Sequence, residues 1–213
     1  MTTLYFIRHG QSESNLAKVF TGQGDTALTE LGFRQAERTA EYLSQFPITR
    51  IYSSSLKRAC QTAEVYAERV GLPIVKSDAL KEINAGLWEG HHYSELPILF
   101  PDTRRVWEEH LGLAHPDGGE SIVELADRIY REVDRILEEN RGEHVAIFTH
   151  ATPVRVMGAR WMGIPPTELE RVPWNGNASV SIAEYDDDGS CRMIQYSYDK
   201  HQGTDATVLP NTV

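Results

Sequence analysis

The chain has 213 residues, 40% of them hydrophobic, and this length and composition predict one globular domain over residues 1–213. Its 31 acidic and 21 basic side chains give a net charge of −10, which argues against non-specific binding to nucleic acid or to an anionic membrane surface. The only cysteines, Cys60 and Cys191, are too few for a disulfide framework or a zinc knuckle, so a reducing compartment is expected.

The N-terminal stretch MTTLYFIRHG has no basic leader and no cleavage-site pattern of small residues. No window of the sequence approaches the ~20 apolar residues that a membrane-spanning helix requires. The sequence therefore predicts a soluble, cytoplasmic protein.

Strand and helix patterns alternate through the first third of the chain. Residues 3–8 are a short apolar run that predicts a buried strand, and Thr29 is the expected N-cap of the next helix. Residues 48–54 predict a second strand, residues 56–71 a helix, and residues 73–76 a third strand. The positions expected to face the core are Phe33, Ala36, Ala40 and Leu43 in the first helix, and Ala59, Ala63, Tyr66 and Val70 in the second, which Gly71 closes.

The periodic pattern fails from Ser77 to Glu120. Pro97, Pro101 and glycine-rich stretches break this segment into short helical pieces and loops. A long irregular segment inside a globular domain is more often functional than not, so residues 77–120 are interpreted as an insert or lid.

Regular patterns return at Ser121, where the sequence SIVE predicts a capping box. The helix that it begins carries a clear amphipathic stripe. Residues 144–150 predict a fourth strand, followed by a helix with Thr152 as N-cap and Pro153 in its first turn, which runs to about Gly163. The stripe consists of Ile122, Leu125, Ile129, Val133 and Ile136.

The end of the chain predicts a hairpin and a loose tail. Residues 178–198 alternate in polarity on both sides of a turn at Asp188 and Gly189. The segment after His201 is polar and is expected to be loose.

Four strand–helix units in series predict a three-layer α/β/α fold with a mostly parallel sheet. Active sites in such sheets lie beyond the carboxyl ends of the strands, which the insert is expected to cover. Arg8 and His9 follow the first predicted strand, Arg58 follows the second, and His150 ends the fourth. These four side chains are therefore expected to converge.

Four potential cations in an acidic protein repel one another unless an anion completes the cluster. Phosphate suits such a site, because the planar fork of arginine matches phosphate oxygens and a helix starting near Thr152 would add backbone N–H groups. A neutral imidazole can attack phosphorus, and the carboxyl of Glu82 can supply and later remove a proton. These residue types indicate phosphoryl transfer.

Five motifs, in order along the chain, resemble those of the histidine phosphatase superfamily, also called the phosphoglycerate mutase-like family. They are FIRHGQSESN, GQGDTALTELG, SSSLKRACQTA, LKEINAGLWEG and IFTH. The resemblance runs from Tyr5 to about Gly163 and is closest to the small bacterial phosphatases. It implies a phosphoglycerate mutase-like fold and catalysis with neither a metal ion nor an organic cofactor.

The resemblance also implies residue roles. His9 would be the phosphorylated nucleophile and Glu82 the proton donor. Arg8, Arg58, His150 and Asn15 would hold the phosphoryl group, and the substrate entrance would be lined by Gln11, Thr21 and Gly22. The family's acid phosphatase and phytase branch has an aspartate after the second histidine, where this chain has Ala151, so Glu82 is the better donor candidate.

Hydrolysis is favoured over the mutase reaction. The stretch GLWEG resembles the phosphatases, and Trp107 is followed by Glu108 and Glu109, where mutases have two arginines that hold a carboxylate. Arg104 and Arg105, one turn earlier, offer partial compensation for these two acidic residues. The alternatives are a cofactor-dependent phosphoglycerate mutase and a protein that only binds a phosphorylated ligand.

The insert leaves several residues without an assigned role. Trp88 and Trp107 are interpreted as packing residues, and His91 and His92 lack the spacing of a metal site. The expected partner is a small phosphate ester whose alcohol the sequence does not identify, and a homodimer is the base-rate expectation.

Overall fold

The computed structural model describes residues 1–207, which are built around a six-stranded sheet in the order β3-β2-β4-β1-β5-β6. Strands β1 to β4 pair in parallel, whereas β5 and β6 form the expected antiparallel hairpin at one edge. The strands are β1 (Thr2–Arg8), β2 (Arg50–Ser54), β3 (Ile74–Ser77), β4 (His144–Thr149), β5 (Val180–Tyr185) and β6 (Cys191–Tyr198).

Helices follow each parallel strand. The α-helices are α1 (Glu13–Ala17), α2 (Glu30–Leu43), α3 (Lys57–Val70), α4 (Leu96–Leu99), α5 (Pro101–Glu109), α6 (Ile122–Glu139) and α7 (Ala151–Met162). Short 3-10 helices span Asp78–Leu80, Gly86–Trp88, Leu111–Leu113, Pro166–Arg171 and Lys200–Asp205.

Alternate side chains of each strand enter two separate cores. On β1, Leu4 and Phe6 join the core under α6 and α7, whereas Tyr5 and Ile7 join the core under α2 and α3. This alternation follows from the two-residue period of a strand. It confirms the predicted α/β/α layering with a mostly parallel sheet.

Residues 77–120 consist of short helices and loops, as predicted. Their buried side chains, including Leu80, Trp88, Leu96 and Trp107, extend the core under α6 and α7. These core contacts fix the position of the segment relative to the strand ends.

Two of the three predicted N-caps are present. Thr29 accepts a hydrogen bond from the N–H of Gly32, and Ser121 with Glu124 forms the capping box of α6. The predicted N-cap of α7, Thr152, was wrong, because the N-cap is His150 in an extended conformation and the helix begins at Ala151, whereas Pro153 lies in the first turn as predicted. The strand and helix therefore meet at a site residue with no linker between them.

Two other predictions were wrong. The side chain of Phe33 is 41% exposed, because it lies on the outer face of α2. The tail after His201 is ordered as far as the structure describes it, since Gln202 is fully buried and donates hydrogen bonds to the carbonyl of Gln35 and the hydroxyl of Thr39. Residues 208–213 lie outside the described part.

No helix in residues 1–207 is both long and apolar enough to span a bilayer.

The turn after β1 packs directly on the first turn of α2. A Cβ on Gly10 would overlap the carbonyl of Gly32, and a Cβ on Gly32 would overlap the carbonyl of Gln11. The N–H of Thr29 also donates to the Gln11 carbonyl (3.0 Å). The backbone that follows β1 is thus held by a contact that leaves no room for a side chain.

Substitution Gly32→Ala tests this contact, because two effects of opposite sign compete. Helix propensity alone would raise the free energy of unfolding by about 1 kcal/mol. We expect instead a decrease of about 1–3 kcal/mol, because the added methyl group must displace the Gln11 backbone. Urea unfolding measures the difference, and a stabilised variant would contradict the close packing.

Candidate active site

Three parallel strands end at the same place and bring the predicted residues together. Arg8 at the end of β1 is in register with Thr149 at the end of β4. His9 and His150 follow these two strands, and their ring centroids are 5.2 Å apart. Ser54, the last residue of β2, accepts or donates a 2.7 Å hydrogen bond at His150 Nε2. Adjacent strands thus place the two imidazoles side by side.

The ring of His9 is oriented by its own backbone. Nδ1 lies 2.6 Å from the carbonyl of Gly10 and can only donate to that oxygen, so the tautomer is the one with hydrogen on Nδ1. Nε2 then carries a lone pair, which accepts the hydrogen bond that Arg58 Nε–H donates at 3.2 Å. The lone pair of His9 therefore faces the guanidinium group.

Arg58 is nearly fully buried and is held by backbone carbonyls. Its two terminal nitrogens donate to Gly24 (2.8 Å) and Gly22 (2.9 Å). These carbonyls belong to the loop that also carries Thr21. The predicted entrance loop therefore also anchors one of the cations.

Two buried side-chain nitrogens in this cluster have no partner in the described part of the chain. Arg8 donates through Nη1 to the carbonyl of Asn175, but its Nε and the Nδ1 of His150 are buried and form no hydrogen bond within residues 1–207. Buried unpaired donors cost free energy. An anion with several oxygens beside His9 would satisfy Arg8 Nε, and would satisfy His150 Nδ1 in the tautomer whose Nε2 accepts from Ser54.

Glu82 is the one carboxylate among the described residues that line this cavity. Its Oε1 accepts from the N–H of Ile83 (2.9 Å), and its Oε2 faces the N–H of Thr152 in the first turn of α7 (3.4 Å). Arg128 on α6 fixes the backbone around it by donating to the carbonyls of Ala79 (2.8 Å) and Glu82 (3.3 Å). Arg128 was not predicted from the sequence.

Burial keeps both imidazoles neutral. Burial lowers the pKa of His9 well below its ordinary value, and the charges of Arg58 and Arg8 lower it further. The pKa of His150 is lowered by burial and then by Arg58. Burial also lowers the pKa of Arg58 to about 10, against the opposing effect of Glu82, so this side chain stays charged at neutral pH.

A cavity of about 680 Å³ opens on this cluster. His150 is fully buried beside His9, with ring centroids 5.2 Å apart, and is the one predicted site residue absent from the described lining of the cavity. Its described lining includes the predicted residues Arg8, His9, Gln11, Asn15, Thr21, Gly22, Arg58 and Glu82, together with Lys18, Phe20, Tyr93, Arg104, Trp107 and Trp174.

The segment before β5 holds the Arg8–His9 backbone and was missed by sequence reasoning. The N–H of Ala178 (3.1 Å) and the side chain of Asn177 (3.2 Å) both donate to the carbonyl of His9. The same Asn177 amide donates to Oδ1 of Asn15 (3.1 Å). Asn175, Asn177 and the intervening glycine form a turn-like sequence, NGN, whose role depends on contacts more than 160 residues away in the chain.

The acidic pair after Trp107 does not face the cavity. Glu108 and Glu109 are exposed and are absent from its described lining, whereas Arg104 lines it and donates through Nε to Glu108 (2.9 Å). Arg105 is exposed beside Asp102. The geometry therefore gives no support to like-charge repulsion as a reason against a mutase.

The tryptophans of the insert differ in their surroundings. Trp88 is fully buried and does not line the cavity, whereas Trp107 does. His91 lies 3.7 Å from Glu95, and His92 bonds to Ser94. Within the described residues, no group of three or more His, Cys, Asp or Glu side chains is arranged to hold a metal ion.

Comparisons with known proteins agree with this geometry. Residues 4–197 match the family described as the histidine phosphatase superfamily (branch 1). The "Bifunctional protein Rv2228c" of Mycobacterium tuberculosis is 34% identical over 196 residues, which are 91% of this chain and 53% of that protein. The chain thus spans about half the length of the mycobacterial relatives that it matches.

Two further relatives match over most of their length. The "Probable phosphoglycerate mutase GpmB" of Proteus mirabilis is 31% identical, covering 87% of this chain and 86% of that protein. The "Phosphoserine phosphatase 1" of Hydrogenobacter thermophilus is also 31% identical, covering 85% and 86%. Among solved structures, that of Bacillus stearothermophilus YhfR has a TM-score of 0.90 at 30% identity and covers 94% of this chain and 99% of that one.

The neutral imidazoles predict how stability depends on pH. As the pH falls below about 6.5, histidines of the unfolded chain bind protons while His9 and His150 in the folded protein do not, so the free energy of unfolding decreases by up to about 1.4 kcal/mol per pH unit for each. Substitution His150→Asn removes one of the two histidines, so it should reduce the pH dependence of the free energy of unfolding by up to about 1.4 kcal/mol per pH unit. Urea unfolding between about pH 7 and pH 5 measures it, and equal slopes would contradict a neutral His150.

Proposed function

The chain belongs to the histidine phosphatase superfamily, and from this membership we propose that it hydrolyses a small phosphomonoester through a phosphohistidine on His9, with no metal ion. The observation that carries the proposal is the neutral His9, whose Nε2 lies beside a charged Arg58, together with the unpaired buried donor on Arg8 and the unpaired Nδ1 of His150. A nucleophile and an anion-binding site share one position.

In the first step, His9 Nε2 attacks phosphorus. The P–N bond forms while the P–O bond to the alcohol breaks, and protonated Glu82 gives its proton to the leaving oxygen. Arg8, Arg58 and His150 stabilise the charge that develops on the phosphoryl oxygens. Because these donors are already in place, little reorganisation is needed in the transition state.

In the second step, the carboxylate of Glu82 takes a proton from water as the water oxygen attacks phosphorus. The P–N bond breaks, inorganic phosphate leaves, and neutral His9 with protonated Glu82 is restored. The same carboxyl group thus acts as acid and then as base, as microscopic reversibility suggests for two displacements on one face. Asn15 would bind a phosphoryl oxygen, and Gln11, Thr21 and Gly22 would border the substrate.

We also propose that residues 1–213 form one domain in which residues 77–120 are an insert that determines specificity. This insert supplies Glu82, Tyr93, Arg104 and Trp107 to the cavity. A cytoplasmic location, supported by the two free cysteines, and a homodimer are part of the same proposal.

Hydrolysis is preferred to the mutase reaction, although one relative is named a probable phosphoglycerate mutase. Release of inorganic phosphate by the purified chain would support it. Interconversion of phosphoglycerates that needs a bisphosphate primer, without phosphate release, would overturn it. Binding of phosphate esters with neither reaction would leave a phospholigand-binding protein.

The first test traps the intermediate and varies the leaving group. A radiolabelled phosphate ester should label the wild-type chain with an acid-labile phosphate, and His9→Ala should abolish both label and turnover. Glu82→Gln should slow an alkyl phosphate far more than 4-nitrophenyl phosphate, because nitrophenolate leaves readily without a proton. The two esters are compared in kcat/KM, which reports formation of the phosphohistidine, because loss of the base in the second step slows both esters alike. An equal loss of kcat/KM with both esters would contradict the role of Glu82 as acid.

A second test compares two neighbouring cations at the start of α3. Arg58→Ala removes a donor of the phosphoryl site and should lower kcat by about 100-fold or more, equivalent to about 3 kcal/mol. Lys57→Ala changes an exposed side chain that does not line the cavity and is the matched control. Steady-state kinetics on both variants measures the difference, and comparable activities would remove Arg58 from the mechanism.

A further inference from the structure

The cavity is far larger than a phosphoryl group, and four aromatic side chains line it. They are Phe20, Tyr93, Trp107 and Trp174. His9, Arg8 and Arg58 surround the phosphoryl position, so the remaining volume is available to the alcohol half of a substrate. This use of the volume rests on the proposed phosphatase activity.

Three of these aromatic side chains support one another. Phe20 packs edge-on against Trp107, with ring centroids 5.2 Å apart, and against Tyr93, with centroids 5.9 Å apart. Phe20 and Trp107 also contact the fully buried Trp88. These contacts define the position of the wall that Phe20, Tyr93 and Trp107 form.

Trp174 is held in a different way, by a buried cation. The guanidinium carbon of Arg155 lies 3.9 Å from the centre of the Trp174 ring. Arg155 does not line the cavity, so it covers Trp174 from the side away from it. A cation over an indole face is attracted by the ring quadrupole, and this stacking fixes the plane of the ring.

Burying the charge of Arg155 costs free energy that no ion pair offsets among residues 1–207. It is 2% exposed, and among residues 1–207 no carboxylate forms an ion pair with it. It donates instead to the carbonyls of Leu169 (2.8 Å) and Val172 (3.1 Å), and burial lowers its pKa to about 10. An unpaired buried charge is expensive. Its hydrogen bonds fix the segment that leads directly into Trp174.

We propose that Trp174, held from behind by Arg155, is the wall of the cavity on which the alcohol half of the substrate packs, and that the preferred substrates are phosphate esters of flat, aromatic alcohols. A flat ring can stack on an immobilised indole and lie against the wall formed by Phe20 and Trp107. Arg155 acts as a positioning residue, because it reaches the substrate only through Trp174.

The test uses two esters whose alcohols leave comparably, 2-naphthylmethyl phosphate and ethyl phosphate. The wild-type chain should favour the naphthylmethyl ester at least about tenfold in kcat/KM. Trp174→Ala should reduce this preference about tenfold, mainly through the KM of the naphthylmethyl ester, because stacking is shared by ground and transition states. Trp174→Phe, which keeps a ring, should retain most of it.

Arg155→Met should reduce the preference about threefold, because the indole remains but is no longer immobilised. Arg160→Met is the matched control on α7, since Arg160 pairs with Asp134 and does not line the cavity. It should keep the wild-type preference. A change in stability alone would alter the melting temperature of Arg155→Met but not the ratio of the two esters.

The outcomes separate this inference from the proposed function. Turnover of both esters without a preference, or a preference unchanged in Trp174→Ala, would overturn the role of Trp174. A preference lost in Trp174→Ala but unchanged in a folded Arg155→Met would overturn the role of Arg155. If the folded wild-type chain hydrolyses neither ester and His9 is not labelled, the phosphatase proposal fails and this inference with it.

Discussion

The arrangement of the site depends on burying two guanidinium groups beside two imidazoles. Arg58 is 2% exposed and lies within hydrogen-bonding distance of His9, and Arg8 adds a second positive charge. Two protonated histidines could not share this space with two arginines, so both imidazoles are neutral. A neutral imidazole is what nucleophilic attack requires, and a concentration of unpaired positive charge is what a phosphoryl group requires. The same buried positive charge thus keeps the imidazoles neutral and favours an anion beside them.

Backbone carbonyls, more than carboxylates, hold these cations in place. Arg58 donates to Gly22 and Gly24, and Arg8 donates to Asn175. A carbonyl orients a guanidinium group without neutralising it, whereas a paired carboxylate would compete with the phosphoryl group for the same charge. Glu82 stands apart from this arrangement, bonded to backbone N–H groups at Ile83 and Thr152. It can therefore exchange a proton without losing a structural ion pair.

The sheet and the segment 77–120 would contribute separately to the two parts of the proposed reaction, phosphoryl transfer and recognition of the alcohol. The strand ends and the helices that follow them supply His9, Arg58 and His150, which are independent of the alcohol. Residues 77–120 supply Glu82 together with Tyr93 and Trp107, which line the rest of the cavity. Because the insert is packed into the same core as the sheet, changes at its cavity surface can alter specificity while the nucleophile stays where it is.

Local sequence patterns determined the elements and the chemical inventory. Period-two and helical repeats located the strands and most helices, and residues at strand ends such as His9 and His150 could be assigned to one edge of the sheet, because parallel strands end together. The motifs around Arg58 and Glu82 identified the family. The tertiary structure alone decided which distant residues contact the site. Asn177 donates to the carbonyl of His9, Arg128 donates to the carbonyl of Glu82, and Arg155 stacks on Trp174. The tertiary structure also decided that Phe33 is exposed, that α7 begins at Ala151, and that Glu108 faces solvent. These features depend on contacts between distant segments, and a local pattern specifies which way a side chain can point but not which distant segment it will meet.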